Sequence, residues 1–144
     1  MSVVVENKTF ILELYRGARE AQAATIIEKG RGRAFRANTT EGGARWMGRL
    51  LCECSVTSCK SDRYQDLRVS IVGAVRNNRK GSYLEFQCFE KGSKNFNRIL
   101  CFPAGVDKEG WAKAGSTFLS LLDRDLEKGC SRRKEMESQR EGKE

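Results

Sequence analysis

Histidine is missing from all 144 residues. Ser-His-Asp and Cys-His nucleophilic arrangements are therefore excluded, and so is every metal site that needs an imidazole. No run approaches the ~20 apolar residues of a membrane-spanning helix. Met1-Ser2-Val3-Val4-Val5-Glu6 meets a charge too early to be a secretory h-region. The expectation is an intracellular protein, nuclear or cytoplasmic, with no membrane partner. The six cysteines, at 52, 54, 59, 88, 101 and 130, include no C-x-x-C pair. Cys52 and Cys54 lie two apart on a predicted helix and point different ways. Cys88 and Cys101 fall inside apolar strand patterns, where a thiol packs as a small hydrophobe. Reduced thiols are expected, with no metal and no cofactor, because Cys52, Cys54 and Cys59 lack the paired spacing of zinc ligands.

What is present in excess is positive charge. Lys and Arg number 27 against 19 Asp and Glu, a net of +8 with a pI near 9.4. Residues 126–144 hold 6 of the basic and 5 of the acidic side chains, so +7 belongs to residues 1–125. A positive folded body attracts polyanions, nucleic acid first. A mass of 16.3 kDa and 39% hydrophobic residues suit one domain at 1–125. The tail at 126–144 mixes signs without an apolar period and is expected to be disordered or a frayed helical extension. Its Ser131-Arg132-Arg133-Lys134 is a short basic run of the kind nuclear addresses use.

The apolar pattern predicts an α+β fold made of two β-β-β-α repeats, at 8–54 and 67–124, with antiparallel curved sheets covered by helices on one face. Phe10, Leu12 and Leu14 alternate in a first strand. Ala23–Lys29 and Arg33–Asn38 flank a hairpin turn at Gly30-Arg31-Gly32. Thr40 caps a helix to about Cys54 whose stripe is Trp46, Met47, Leu50, Leu51 and Cys54. Residues 55–66 are polar and read as a linker. Three further strands follow, at Leu67–Val72, Ser82–Glu90 and Phe96–Phe102, the last ended by the only proline, Pro103. Asp107 caps a second helix with the stripe Trp111, Ala114, Gly115, Phe118, Leu119 and Leu122.

A sheet covered on one side leaves the other side open. After Gly81, Leu84, Phe86 and Cys88 form the inner set, and Tyr83, Glu85, Gln87 and Phe89 the outer one. A one-residue slip of register would exchange the two faces. Arg33 and Phe35 alternate in the same way in the first half. Lys29, Arg31, Arg36, Arg76, Arg79, Lys80, Lys91 and Lys94 stand at strand ends and turns. Rings interleaved with cations suit single-stranded nucleic acid, since bases stack on rings and cations track phosphates. The candidate contacts are those eight cations with Arg33, Phe35, Tyr83, Gln87 and Phe89. No catalytic residue stands out. Asp62, Asp66, Glu85 and Glu90 are too scattered for a nuclease metal site. The chain is therefore read as a non-enzyme with no small-molecule substrate. The alternative function is a protein-interaction or dimerisation scaffold whose open sheet packs on a partner or a second copy.

Glu28-Lys29-Gly30-Arg31-Gly32-Arg33-Ala34-Phe35 and Arg76-Asn77-Asn78-Arg79-Lys80-Gly81-Ser82-Tyr83 resemble the basic-glycine-aromatic hairpins of PUR repeats. The element order is similar to that of the Whirly proteins of plants. Lys94-Asn95-Phe96-Asn97-Arg98-Ile99-Leu100-Cys101-Phe102-Pro103-Ala104-Gly105, followed by Gly110-Trp111, resembles a plant-specific PUR/Whirly-like group. The resemblance covers residues 8–123. It implies two repeats in one domain, possible homodimerisation, and sequence-tolerant binding of single-stranded DNA or RNA. Glu85 departs from a fully basic hairpin, and the lysine-glycine-lysine signature of Whirly proteins is absent.

Overall fold

Alternating apolar residues build eight strands in two antiparallel sheets. The computed structural model describes residues 1–15, 23–59, 61–92 and 98–129, with side chains to Asp123. The first sheet pairs β1 (Ser2–Val5), β2 (Lys8–Tyr15), β3 (Ala23–Gly30) and β4 (Arg33–Thr40) in chain order, and α1 (Glu41–Val56) follows. The second pairs β5 (Ser61–Gln65), β6 (Val69–Asn78), β7 (Gly81–Glu90) and β8 (Arg98–Pro103). A 3₁₀ turn at Val106–Lys108 leads into α2 (Glu109–Gly129). The architecture is α+β.

Each half has four strands where the periodicity predicts three. The missed strands are the first of each sheet. β1 is four residues long, with Val3 and Val5 buried and Val4 exposed. β5, Ser-Asp-Arg-Tyr-Gln, is a polar edge strand inside the segment read as a linker, and no apolar alternation marks it. The predicted repeat boundaries at 8 and 67 therefore fall inside the sheets, and α2 continues past 125 to Gly129. The hairpin turn, both helices and both predicted helix stripes are present, Trp46 and Leu119 being the half-buried members.

One apolar core draws on both sheets and both helices. Its joint is Phe102 on β8. This ring stacks on Phe10 of β2 at 4.0 Å and meets Phe86 and Phe118 edge-on at 5.6 and 5.9 Å. The halves interlock through their helices. α1, at the end of the first half, lies on the second sheet, where Trp46 meets Phe86 and Tyr64 at 5.9 Å each. α2 lies along β1 of the first sheet, and a Cβ on Gly110 would fall 2.5 Å from the Val5 side chain. The helices cross at two glycines. A Cβ on Gly115 would stand 2.6 Å from the Cys52 sulfur and 2.8 Å from the Gly48 carbonyl.

The Phe-Pro-x-Gly and Gly-Trp motifs build the junction between β8 and α2. Gly105 adopts φ +73°, the left-handed region. The Gly110 amide donates to the Ala104 carbonyl at 2.7 Å, and Trp111 Nε1 donates to the Phe102 carbonyl at 2.7 Å. Asp107, expected as the helix cap, instead takes φ +53° inside the 3₁₀ turn that precedes α2. Thr40 does cap α1, accepting from the Gly43 amide, and its hydroxyl donates to Asp66.

Two polar side chains of the first half close the edge of the second sheet. The Cys101 amide donates to Glu28 Oε1 at 2.7 Å, and Lys8 Nζ donates to the Cys101 carbonyl at 3.3 Å. Lys8 and the buried Glu28 pair at 3.1 Å. They occupy groups of β8 that a further strand would otherwise seek.

The cysteines differ in part from the expectation. Cys54 and Cys59 form a disulfide, because α1 ends at Val56 and the chain turns back to a Cα separation of 5.5 Å. Cys52, Cys88 and Cys101 are free. Burial raises all three thiols, reinforced by Glu53, Glu90 and Glu28 respectively, and Cys88 is pushed up to about 12. None of the three is poised as a thiolate nucleophile.

Candidate nucleic-acid interface

β7 presents two faces of opposite character. Leu84, Phe86 and Cys88 are buried in the core. Tyr83, Glu85, Gln87 and Phe89 lie on the other face, which no helix covers among the described residues. The cross-strand register extends this bare face. Tyr83 stands between Arg76 and Pro103, Glu85 between Ala74 and Cys101, Gln87 between Val72 and Ile99, and Phe89 beside Ser70. Phe89 is 38% and Ile99 42% exposed.

The centre of this face holds an ion pair. Arg76 Nε donates to Glu85 Oε1 at 2.9 Å, and Gln87 Nε2 donates to the same oxygen at 3.1 Å. Arg76 is thereby committed to a carboxylate. Lys91 is committed as well, its ammonium donating to the Asp66 carbonyl at 2.5 Å.

The cations without an ion-pair partner among the described residues stand elsewhere. Asn78 pairs with Gly81, leaving Arg79 and Lys80 at the tip of a two-residue turn. Asn78 Oδ1 accepts from the Lys80 amide at 2.8 Å, and Gly81 takes φ +131°. Gly30 pairs with Arg33 around Arg31 and Gly32, the latter at φ +63°. Lys29 and Arg36 lie on the face of the first sheet away from the core, in register with Ala34 and Ile27.

Arg33 and Phe35 do not share that face. Phe35 is in register with Glu28, and Glu28 with Phe10, so Phe35 and Arg33 lie on the core-facing side of the sheet. Phe35 is nonetheless 47% exposed. The expected symmetry between this strand and β7 is therefore absent. Lys94 lies outside the described residues, as do Phe96 and Asn97 of the expected third strand.

Apart from Lys94, the structure divides the other twelve candidate residues into three groups. Tyr83, Gln87, Phe89 and Arg76 share the bare face of the second sheet. Lys29 and Arg36 share the face of the first sheet away from the core. Arg31, Arg79, Lys80 and Lys91 are in or beside turns, with Arg33 and Phe35 on the core-facing side of the β3–β4 hairpin. Sequence reasoning passed over Arg63, in register with Val72 at the edge of the second face. It also passed over Lys8, whose role depends on Glu28, twenty positions away in sequence and reached only through sheet pairing.

Among the described residues no cluster of three or more His, Cys, Asp or Glu could hold a metal ion. No described helix is long and apolar enough to cross a membrane. No protein-family model matches the chain, and no curated protein sequence matches it.

Proposed function

We propose that the chain binds single-stranded DNA or RNA on the bare face of its second sheet, with phosphates held by the turn and hairpin cations. The observation that carries the reading is the outward pair of rings, Tyr83 and Phe89, on a face left open by both helices. Stacking on such rings tolerates any base. Lys29, Arg31, Arg36, Arg79 and Lys80 supply charge that no acidic side chain neutralises among the described residues. The reading agrees with the PUR/Whirly-like resemblance and with an intracellular location, both of which we keep as part of the proposal.

The test is binding of an oligothymidylate of about twenty nucleotides at about 50 and about 200 mM salt. With roughly five phosphates engaged, log K should fall against log salt with a slope of about −3 to −4. Absence of salt-dependent binding at micromolar protein removes the reading.

A second reading has its own support. Val72, Ile99 and Phe89 are grouped on the same face, and apolar groups at that spacing also suit burial against a second copy. A dimer whose dissociation ignores salt would favour this scaffold role.

A further inference from the structure

A cleft of about 360 Å³ opens where the two halves meet, between the β1–β2 turn, the β6–β7 turn and the end of β8. Tyr83 lines it and also belongs to the bare face of the second sheet, so cleft and face are continuous. Its volume lies in the range that small organic groups occupy in proteins, ~300–1,000 Å³.

The lining has the chemistry of a nucleotide site. Tyr83 and Pro103 offer a flat aromatic and apolar wall. Lys8 comes from the first half and Lys80 from the second; Glu6 is in the same lining, and Glu28 pairs with Lys8 from behind it. Lys8 is already oriented: Glu28 and the Cys101 carbonyl take two of its three ammonium donors. Lys80 carries no ion pair among the described residues. Asn7 and Ser82 add amide and hydroxyl groups at the rim.

We propose that this cleft holds one nucleotide of the bound strand, its base against Tyr83 and Pro103 and its phosphate between the ammonium groups of Lys8 and Lys80. The inference rests on the single-strand reading for the source of that nucleotide. A base lifted out of the strand at this point anchors the strand's register on the sheet. A free mononucleotide presents the same base and phosphate, so the experiment separates the two sources.

Amide NMR spectra of the isotope-labelled full chain are recorded with the oligothymidylate and, separately, with thymidine monophosphate. The expected result with the oligothymidylate is movement of the Asn7, Lys8 and Gly105 signals together with those of Val72 and Gln87. Asn7→Trp, at an exposed turn, should fill the cleft, weaken the oligomer by about tenfold and leave the melting temperature unchanged. Movement of Val72 and Gln87 alone, with Asn7→Trp binding normally, overturns the cleft and leaves the proposed function standing. Movement of the cleft signals with the mononucleotide alone upholds the site and removes the strand. Silence with both ligands overturns both.

Discussion

On the first sheet, the face away from the core carries Lys29 and Arg36 among Thr9, Ile11 and Asn38. Its exposed ring, Tyr15, donates to Glu13 at 2.9 Å. On the second sheet, the corresponding face carries Tyr83 and Phe89, and its central cation, Arg76, is paired with Glu85. The halves share an element order and differ in surface chemistry. The cationic turns are also placed differently: between the third and fourth strands in the first half, and between the second and third in the second. Under the proposed function, rings on one sheet and unneutralised charge on the other have different roles, and variants of the two faces should fail differently.

The largest effect tests whether the two halves are one cooperative unit at all. Phe102→Ala removes the ring that touches Phe10, Phe86 and Phe118, and so loosens both sheets together. A loss of about 3–5 kcal/mol is expected by urea unfolding, in a single transition. Two separated transitions in the variant would show that the halves fold independently and that the interlocked helices do not couple them.

Next in size is the contrast between rings and cations. Tyr83→Ala and Phe89→Ala should each weaken oligothymidylate binding by about 1–3 kcal/mol while the salt slope stays as it was. Lys29→Gln with Arg36→Gln should weaken binding less at high salt and lower the slope by roughly 0.7 for each phosphate that is no longer neutralised. If ring and cation variants change the slope alike, the division of labour between the sheets is wrong.

A smaller effect concerns the link between α1 and the second sheet. Burial pushes the Asp66 carboxyl up, but hydrogen bonds from the Thr40 hydroxyl, the Val69 and Arg68 amides and the Tyr64 hydroxyl outweigh it and hold it at about 2. A carboxyl depressed in the folded state stabilises fully above its unfolded pKa of about 3.9, and that stability is lost as pH falls toward the folded value. Melting temperatures should drop between about pH 4 and pH 2, with a contribution of roughly 1–2 kcal/mol after allowance for solvent screening. Asp66→Asn should flatten that part of the profile. A variant that keeps the full acid sensitivity would place it elsewhere.

Much of the fold is legible in the alternation of residues. The period-two rows at Phe10–Leu14 and Leu84–Cys88 each set one wholly apolar face against a face that carries polar residues, and burial follows that division in β7 residue by residue. The first strand of each sheet is not legible in this way. β1 is too short for periodicity to register, and β5 is an edge strand whose one half-buried ring, Tyr64, packs on Trp46 of α1. Arg33 and Phe35 escape for a different reason. Here the alternation of β4 puts both on the core-facing side, yet it does not say how much of that side is buried. The cleft is invisible in the sequence because its walls come from three segments that only the interlocking of the halves brings together.

The smallest effect bears directly on the second sheet. Glu85 lies between Tyr83 and Phe89 on β7, where a passing phosphate would be repelled, and it holds Arg76 and Gln87 by one oxygen. Glu85→Gln keeps the shape and removes the charge. Arg76 then loses its ionic partner and regains freedom to meet phosphate, and the local repulsion disappears. Exposed ion pairs contribute ~0–1 kcal/mol, so stability should hardly change. Binding of oligothymidylate should tighten severalfold, and the salt slope should grow by roughly 0.7 for one more neutralised phosphate. Weaker binding would instead mean that the carboxylate itself receives a donor from the bound base, and that Glu85 is part of recognition.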